Sequence, residues 1–174
     1  MPFRRNLYYL LIITSLCLPG LLSATVLPYA GATVGSSESQ PVDQFETDLS
    51  GYFFIGIQTD YYVTYELGIS YFEFNTFEGA PSSRHASFLT ATALGHLPIG
   101  DSSIFIRAGI SGYEYFDNND EQQDVFVPTY GFGFDYAIKP RISLRLEWQR
   151  YMDLEYNRAK FDIDSVRAGF FVYF

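Results

Sequence analysis

The feature that most constrains this chain is repeated alternation of apolar with small or charged residues. A side-chain period of two is the geometry of a β-strand, and helical periodicity is hard to find. The clearest case is "VPTYGFGFDYAI" (127–138). Tyr130, Phe132, Phe134 and Tyr136 share one face, and Gly131, Gly133 and Asp135 share the other. In "ISLRLEWQRYM" (142–152), Ile142, Leu144, Leu146 and Trp148 oppose Ser143, Arg145, Glu147 and Gln149. In "DSVRAGFFVYF" (164–174), Val166, Ala168, Phe170, Val172 and Phe174 oppose Arg167, Gly169, Phe171 and Tyr173.

The same reading gives five earlier strands at 29–37, 51–59, 62–74, 86–98 and 103–115. In the third, Tyr65, Leu67, Ile69 and Tyr71 oppose Glu66, Gly68 and Ser70. In the fifth, Ile104, Ile106, Ala108 and Ile110 oppose Arg107, Gly109, Ser111 and Tyr113. The Gly-rich first strand is the weakest. In the fourth, Leu89, Ala91 and Ala93 compete with Phe88, Thr90 and Thr92 for the apolar face. These segments are long for soluble strands and suit a tilted membrane crossing. Short connections at 58–62, 97–103 and 137–142 alternate with long ones at about 37–50, 75–85, 116–126 and 153–163. Short turns at one end and longer loops at the other are the habit of membrane barrels. Closure is required because an open edge in lipid leaves backbone groups without partners. The expected fold is all-β: an eight-stranded antiparallel up-and-down transmembrane β-barrel.

In such a barrel the aromatic face meets lipid, and the small and charged residues line a narrow lumen. Glu66, Arg107, Asp135, Arg145, Glu147 and Arg167 are the expected lumen charges, three acids against three bases. Buried ions are tolerated when paired, so an ion-pair network plugging the lumen is expected. Gly68, Gly109, Gly131, Gly133 and Gly169 would make room for their long side chains. The soluble alternative, a lipocalin-like binder, reverses the two faces.

Residues 1–24, "MPFRRNLYYLLIITSLCLPGLLSA", read as a secretory signal peptide, with Arg4 and Arg5 ahead of an apolar run that Pro19-Gly20 interrupts. Residues 25–174 then form the barrel domain. Loss of two arginines takes the net charge from −9 to −9 − 2 = −11. An acidic chain with no basic patch is a poor partner for nucleic acid. Aromatics make up 19% of residues, which suits a bilayer interface. The single cysteine, Cys17, leaves with the signal, so no disulfide or cysteine–metal site is expected.

The final strand, "SVRAGFFVYF", resembles the C-terminal strand of bacterial outer-membrane barrels. That resemblance implies an assembly signal at Phe170, Tyr173 and Phe174, read by the barrel assembly machinery. "YGFGFDYAIKPRISLRLEWQRY" resembles the penultimate hairpin of OmpA-like and opacity-type barrels. The likeness covers most of the mature chain as a pattern and is specific in the last three strands. It implies a barrel of the outer membrane β-barrel superfamily in the bacterial cell outer membrane, with no room for a periplasmic peptidoglycan-binding domain.

The expected role is structural or surface-interacting, with outer-membrane lipid and lipopolysaccharide as partners, as a monomer, without cofactor, metal or catalytic site. No feature specifies an external ligand. Acidic loops carrying Glu38, Asp43, Glu46 and Asp48, and Asp117, Asp120, Glu121 and Asp124, lack the spacing of a calcium loop. A narrow gated pore is the first alternative. A lipid A-modifying hydrolase is the second: His85 and Ser87 lie two apart, as base and nucleophile could on one strand, but Phe88 stands where the deacylase family has Asn. His96 is expected at the membrane interface.

Overall fold

The computed structural model describes residues 26–40, 46–59, 62–75, 84–116, 122–156 and 159–174. Eight strands follow one another: β1 (Leu27–Gln40), β2 (Glu46–Gln58), β3 (Val63–Asn75), β4 (Arg84–Ile99), β5 (Ser102–Phe116), β6 (Gln122–Lys139), β7 (Ile142–Tyr156) and β8 (Ala159–Tyr173). Each pairs antiparallel with its chain neighbours, and β8 pairs with β1 to close the barrel. No described residue is helical. The segment read as a signal peptide lies outside the described residues.

The paired residues fix the tilt. From Phe126 on β6, successive partners are Gly112, Leu89, Ile69, Phe53, Ala32, Phe170, Leu144 and finally Tyr136, again on β6. One circuit therefore advances 136 − 126 = 10 residues. Eight strands with that stagger tilt by about 40°. The two ends of the circuit are then about 25 Å apart along the axis, the height of an outer-membrane apolar band.

Outward and inward faces follow the alternation. Ile69, Ile106, Phe132, Leu146 and Phe170 are exposed on the wall. On β4, Leu89 and Ala93 point outward and Phe88, Thr90 and Thr92 inward. A wall this apolar, around a core containing six charged side chains among the described residues, is the reverse of a soluble lipocalin-like barrel.

The strands reach further toward the loop end than alternation indicated. The connection expected over about 153–163 is mostly strand, with Tyr156 paired to Ala159. Glu38, Glu46, Asp48 and Asp124 likewise lie in β1, β2 and β6 rather than in loops. Beyond the bilayer the outer face is wet, so backbone pairing continues after the apolar period has ended. Asp43, Asp117, Asp120 and Glu121 lie outside the described residues.

At the opposite end the turns are tight. Gly100-Asp101 joins β4 to β5, and Gly100 at φ 61° supplies the left-handed residue that a type II′ hairpin places first. Near the loop end, β7 carries a bulge between Tyr151 and Leu154. Asp153 takes φ 55° there, and the extra residue turns Leu154 into the lumen.

Candidate functional site

Two clusters of rings and a set of charges fill the lumen. From the turn end upward, Tyr29, Tyr52, Phe54 and Phe171 pack together, with Tyr173 against them. Near the loop end, Phe72, Phe88, Tyr113, Val127, Tyr151, Leu154 and Ile163 form a second apolar cluster. Interleaved with the first cluster are the six predicted lumen charges, all inward: Glu66, Arg107, Arg145, Glu147 and Arg167 are at most 3% exposed and Asp135 7%.

These charges connect as one alternating chain. Arg145 forks onto Asp135, with Nε 2.8 Å from Oδ1 and Nη2 3.0 Å from Oδ2. Its Nη1 also donates to Glu66 Oε1. Glu66 accepts from Arg107 through its other oxygen. Arg107 Nη1 lies 2.9 Å from Glu147 Oε2, and Arg167 Nε lies 3.1 Å from Glu147 Oε1. The order is Asp135, Arg145, Glu66, Arg107, Glu147, Arg167. Three positive and three negative charges cancel, and each inner member meets an opposite charge on both sides. That satisfies the condition under which burial of ions is tolerated.

Neutral groups complete it. Tyr29 OH donates to Glu66 at 2.6 Å, and Thr33 Oγ1 donates to Glu147 at 2.8 Å. Gln149 Oε1 accepts from both Arg107 and Arg167, while its Nε2 donates to Thr129 Oγ1 at 2.8 Å. Tyr29, Thr33, Thr129 and Gln149 were not singled out from sequence. Only the inward parity of Gln149, beside Arg145 and Glu147, pointed toward a lumen role.

Aromatic rings fill the remaining volume and lie against the cations. Phe54, Phe105 and Phe171 hold the Arg145 guanidinium at 4.9, 4.7 and 4.8 Å from their centroids. Tyr52 faces both Arg107 at 5.3 Å and Arg167 at 4.8 Å. Most of the inner glycines make room for rings or backbone, not for long charged side chains as expected. A Cβ at Gly68 would lie 2.4 Å from the Tyr52 ring, and one at Gly133 2.4 Å from Phe105. At Gly109 and Gly169 the obstacle is neighbouring backbone; at Gly131 it is backbone, with Arg107 Cγ further off at 3.3 Å.

Other residues singled out from sequence fall elsewhere. Phe170 and Phe174 are exposed on the outer wall. Tyr173 turns inward, where its OH donates to Gln58 Oε1 at 2.9 Å. Ser87 is exposed on the outward face of β4, and the His85 side chain lies outside the described residues. His96 is half-buried on the inward face of β4, with Nδ1 3.3 Å from Ser103 Oγ. Among the described residues, no group of three or more His, Cys, Asp or Glu could hold a metal ion.

Solved structures share this barrel. Neisserial surface protein A is 15% identical, with a TM-score of 0.65 over 86% of this chain and 97% of that one. The N-terminal β-barrel domain of Pseudomonas aeruginosa OprF is 16% identical, with a TM-score of 0.54 over 84% and 97%. Ail, the attachment invasion locus protein of Yersinia pestis, is 10% identical, with a TM-score of 0.55 over 88% and 100%. At these identities the likeness is one of fold. Comparison with curated proteins found no match to this chain. The family described as outer membrane protein beta-barrel domain matches residues 10–174, nearly the whole chain. With its apolar wall, closed sheet and paired lumen charges, the chain belongs to that family, and its place is the bacterial outer membrane.

Proposed function

We propose that this protein is a closed barrel with a structural or surface-interaction role, neither an enzyme nor a wide pore. The observation that carries this reading is the filling of the lumen. A six-member ionic chain interleaved with one cluster of rings, and a second apolar cluster toward the loops, lie between its ends. Eight strands enclose just enough width for packed side chains. The exposed Ser87 on the wall has no described partner arrangement that would make it a nucleophile.

The wall's partners are outer-leaflet lipopolysaccharide and inner-leaflet phospholipid, and the barrel works as a single copy. Phe170, Tyr173 and Phe174 are the groups offered to the barrel assembly machinery; Phe170 and Phe174 are exposed on the outside, and Tyr173 in the folded barrel bonds Gln58. The OmpA-like and opacity-type grouping belongs to the same reading and rests on the β6–β7 hairpin.

The test is single-channel recording of the refolded protein in planar bilayers at high salt. Silence at both polarities is the expected result. Discrete openings that change in Glu66→Gln would replace this reading with a narrow pore gated by the ionic chain.

A further inference from the structure

The ionic chain has two unlike ends. Asp135, toward the turns, ends it in a carboxylate; Arg167, toward the loops, ends it in a guanidinium. Arg167 has one carboxylate neighbour in the chain, Glu147, which it shares with Arg107. Its Nη2 is bound by a neutral amide, Gln149, and its Nη1 has no hydrogen-bond partner although the residue is 1% exposed. The loop-side end therefore carries a local excess of positive charge that nothing described compensates.

Buried hydroxyls without partners gather at this end. Gly35 on β1 pairs across the sheet with Arg167 on one side and Ser50 on the other. Ser50 Oγ is buried and has no partner. Ser37, the next inward residue on β1, and Tyr52, the next on β2, are also buried, and their hydroxyls lack partners too. Tyr52 places its ring against the Arg167 guanidinium. Arg107, whose Nε is likewise unpartnered, lies against the same ring. Leaving a buried polar group unsatisfied is costly, and here Ser37 and Ser50 lie on the two strands at Gly35, while Tyr52, Arg167 and Arg107 meet through the Tyr52 ring. All of them can donate a hydrogen bond, and two of the donors are cationic.

We propose that the Arg167 end of the ionic chain, with Ser37, Ser50 and Tyr52 around Gly35, is a buried binding site for a small monovalent anion of the halide class. The anion extends the alternating chain by one negative member beyond Arg167. It supplies the negative charge that follows Arg167 and accepts from the hydroxyls, while the layer of Phe72, Phe88 and Tyr151 lies on its loop side. Water could accept the same hydrogen bonds but would leave the end charge uncompensated. The inference is independent of any surface role for the loops.

Bromide is the probe. Crystals of the full mature barrel grown in sodium bromide should show an anomalous peak within contact of Arg167 Nη1. Thermal unfolding in detergent should shift upward in sodium bromide relative to sodium gluconate at equal ionic strength. That shift should be lost in Ser50→Ala and reduced in Ser37→Ala, each of which removes one donor without touching the ion pairs. An ordinary water at the position without anomalous signal, or a bromide shift unchanged in both variants, would overturn the proposal. If Ser50→Ala does not fold, Ser37→Ala and the anomalous map decide it.

Discussion

The ionic chain and the loop-end aromatic layer fill one lumen by opposite means. The layer of Phe72, Phe88, Tyr113 and Tyr151 is held by ring contacts, such as Phe72 on Phe88 at 5.2 Å and 89°. Such packing is shared among many small terms, and removing one ring costs area and leaves a void. The ionic chain is held by five charge contacts in series. Removing one charge there leaves its neighbours desolvated and uncompensated. The lesson is that the aromatic layer should tolerate conservative change, and the chain should tolerate only change that respects its pairing.

The sharpest way to break this contrast is Glu66→Gln. Glu66 bridges Arg107 and Arg145 and accepts from Tyr29, so its neutralisation takes one of two carboxylates from each of two buried cations and leaves the lumen with a net positive charge. A loss of roughly 3–5 kcal/mol is expected in urea unfolding from lipid vesicles. A change below about 1 kcal/mol would mean that the chain is not a pairing network.

Gly169→Ala comes next. Its Cβ would lie 1.9 Å from Ala32 O, an obstacle of backbone that cannot rotate away. Separation of β1 from β8 should cost about 1–3 kcal/mol and lower the yield of the heat-modifiable folded band. Gly51→Ala, on the outer wall with nothing within 4 Å of its Cβ, is the matched control and should migrate like wild type.

Within the aromatic layer, Tyr151→Phe keeps the ring and removes only the hydrogen bond to Ser70 at 2.6 Å. A loss of about 1 kcal/mol is expected by the same unfolding measurement. A loss equal to that of Glu66→Gln would erase the distinction between the two regions. The smallest effect is expected at the rim. Asp153→Gly relieves the left-handed φ of 55° and forfeits only the exposed contact with Lys160 at 3.4 Å. The net change should be stabilising by up to about 1 kcal/mol; a clear destabilisation would show that Asp153 holds the bulge through its side chain.

Most of the wall was legible from the chain because side-chain parity is a covalent property of an extended backbone. Ile104, Ile106 and Ala108 point one way and Arg107 and Gly109 the other wherever the strand is placed. Parity could not say which of two mixed faces on β4 was inward; the register with β3 and β5 decided that. It also hid the loop-end aromatic layer. Phe72, Phe88 and Tyr151 are apolar residues on the inner face, where apolar character in a membrane barrel argues for the outside. At this level both faces carry apolar residues, with Leu89 and Phe126 exposed on the wall beside buried Phe88 and Val127, so alternation offers no contrast to read. Parity likewise ended the strands early, since a segment wet outside its apolar period carries no signal for continued backbone pairing.

By itself, then, the sequence determined eight strands, their apolar wall and the six side chains turned into the lumen, because all of these depend on neighbours along the chain. Which of the six meet was decided by closure and stagger. Arg145 reaches Glu66 from 79 residues away, and Thr33 reaches Glu147 from 114. Those meetings depend on the ten-residue advance per circuit, which sets the height of every inward side chain against those across the lumen. No local pattern encodes that height, because it is a sum of registers over all eight pairings.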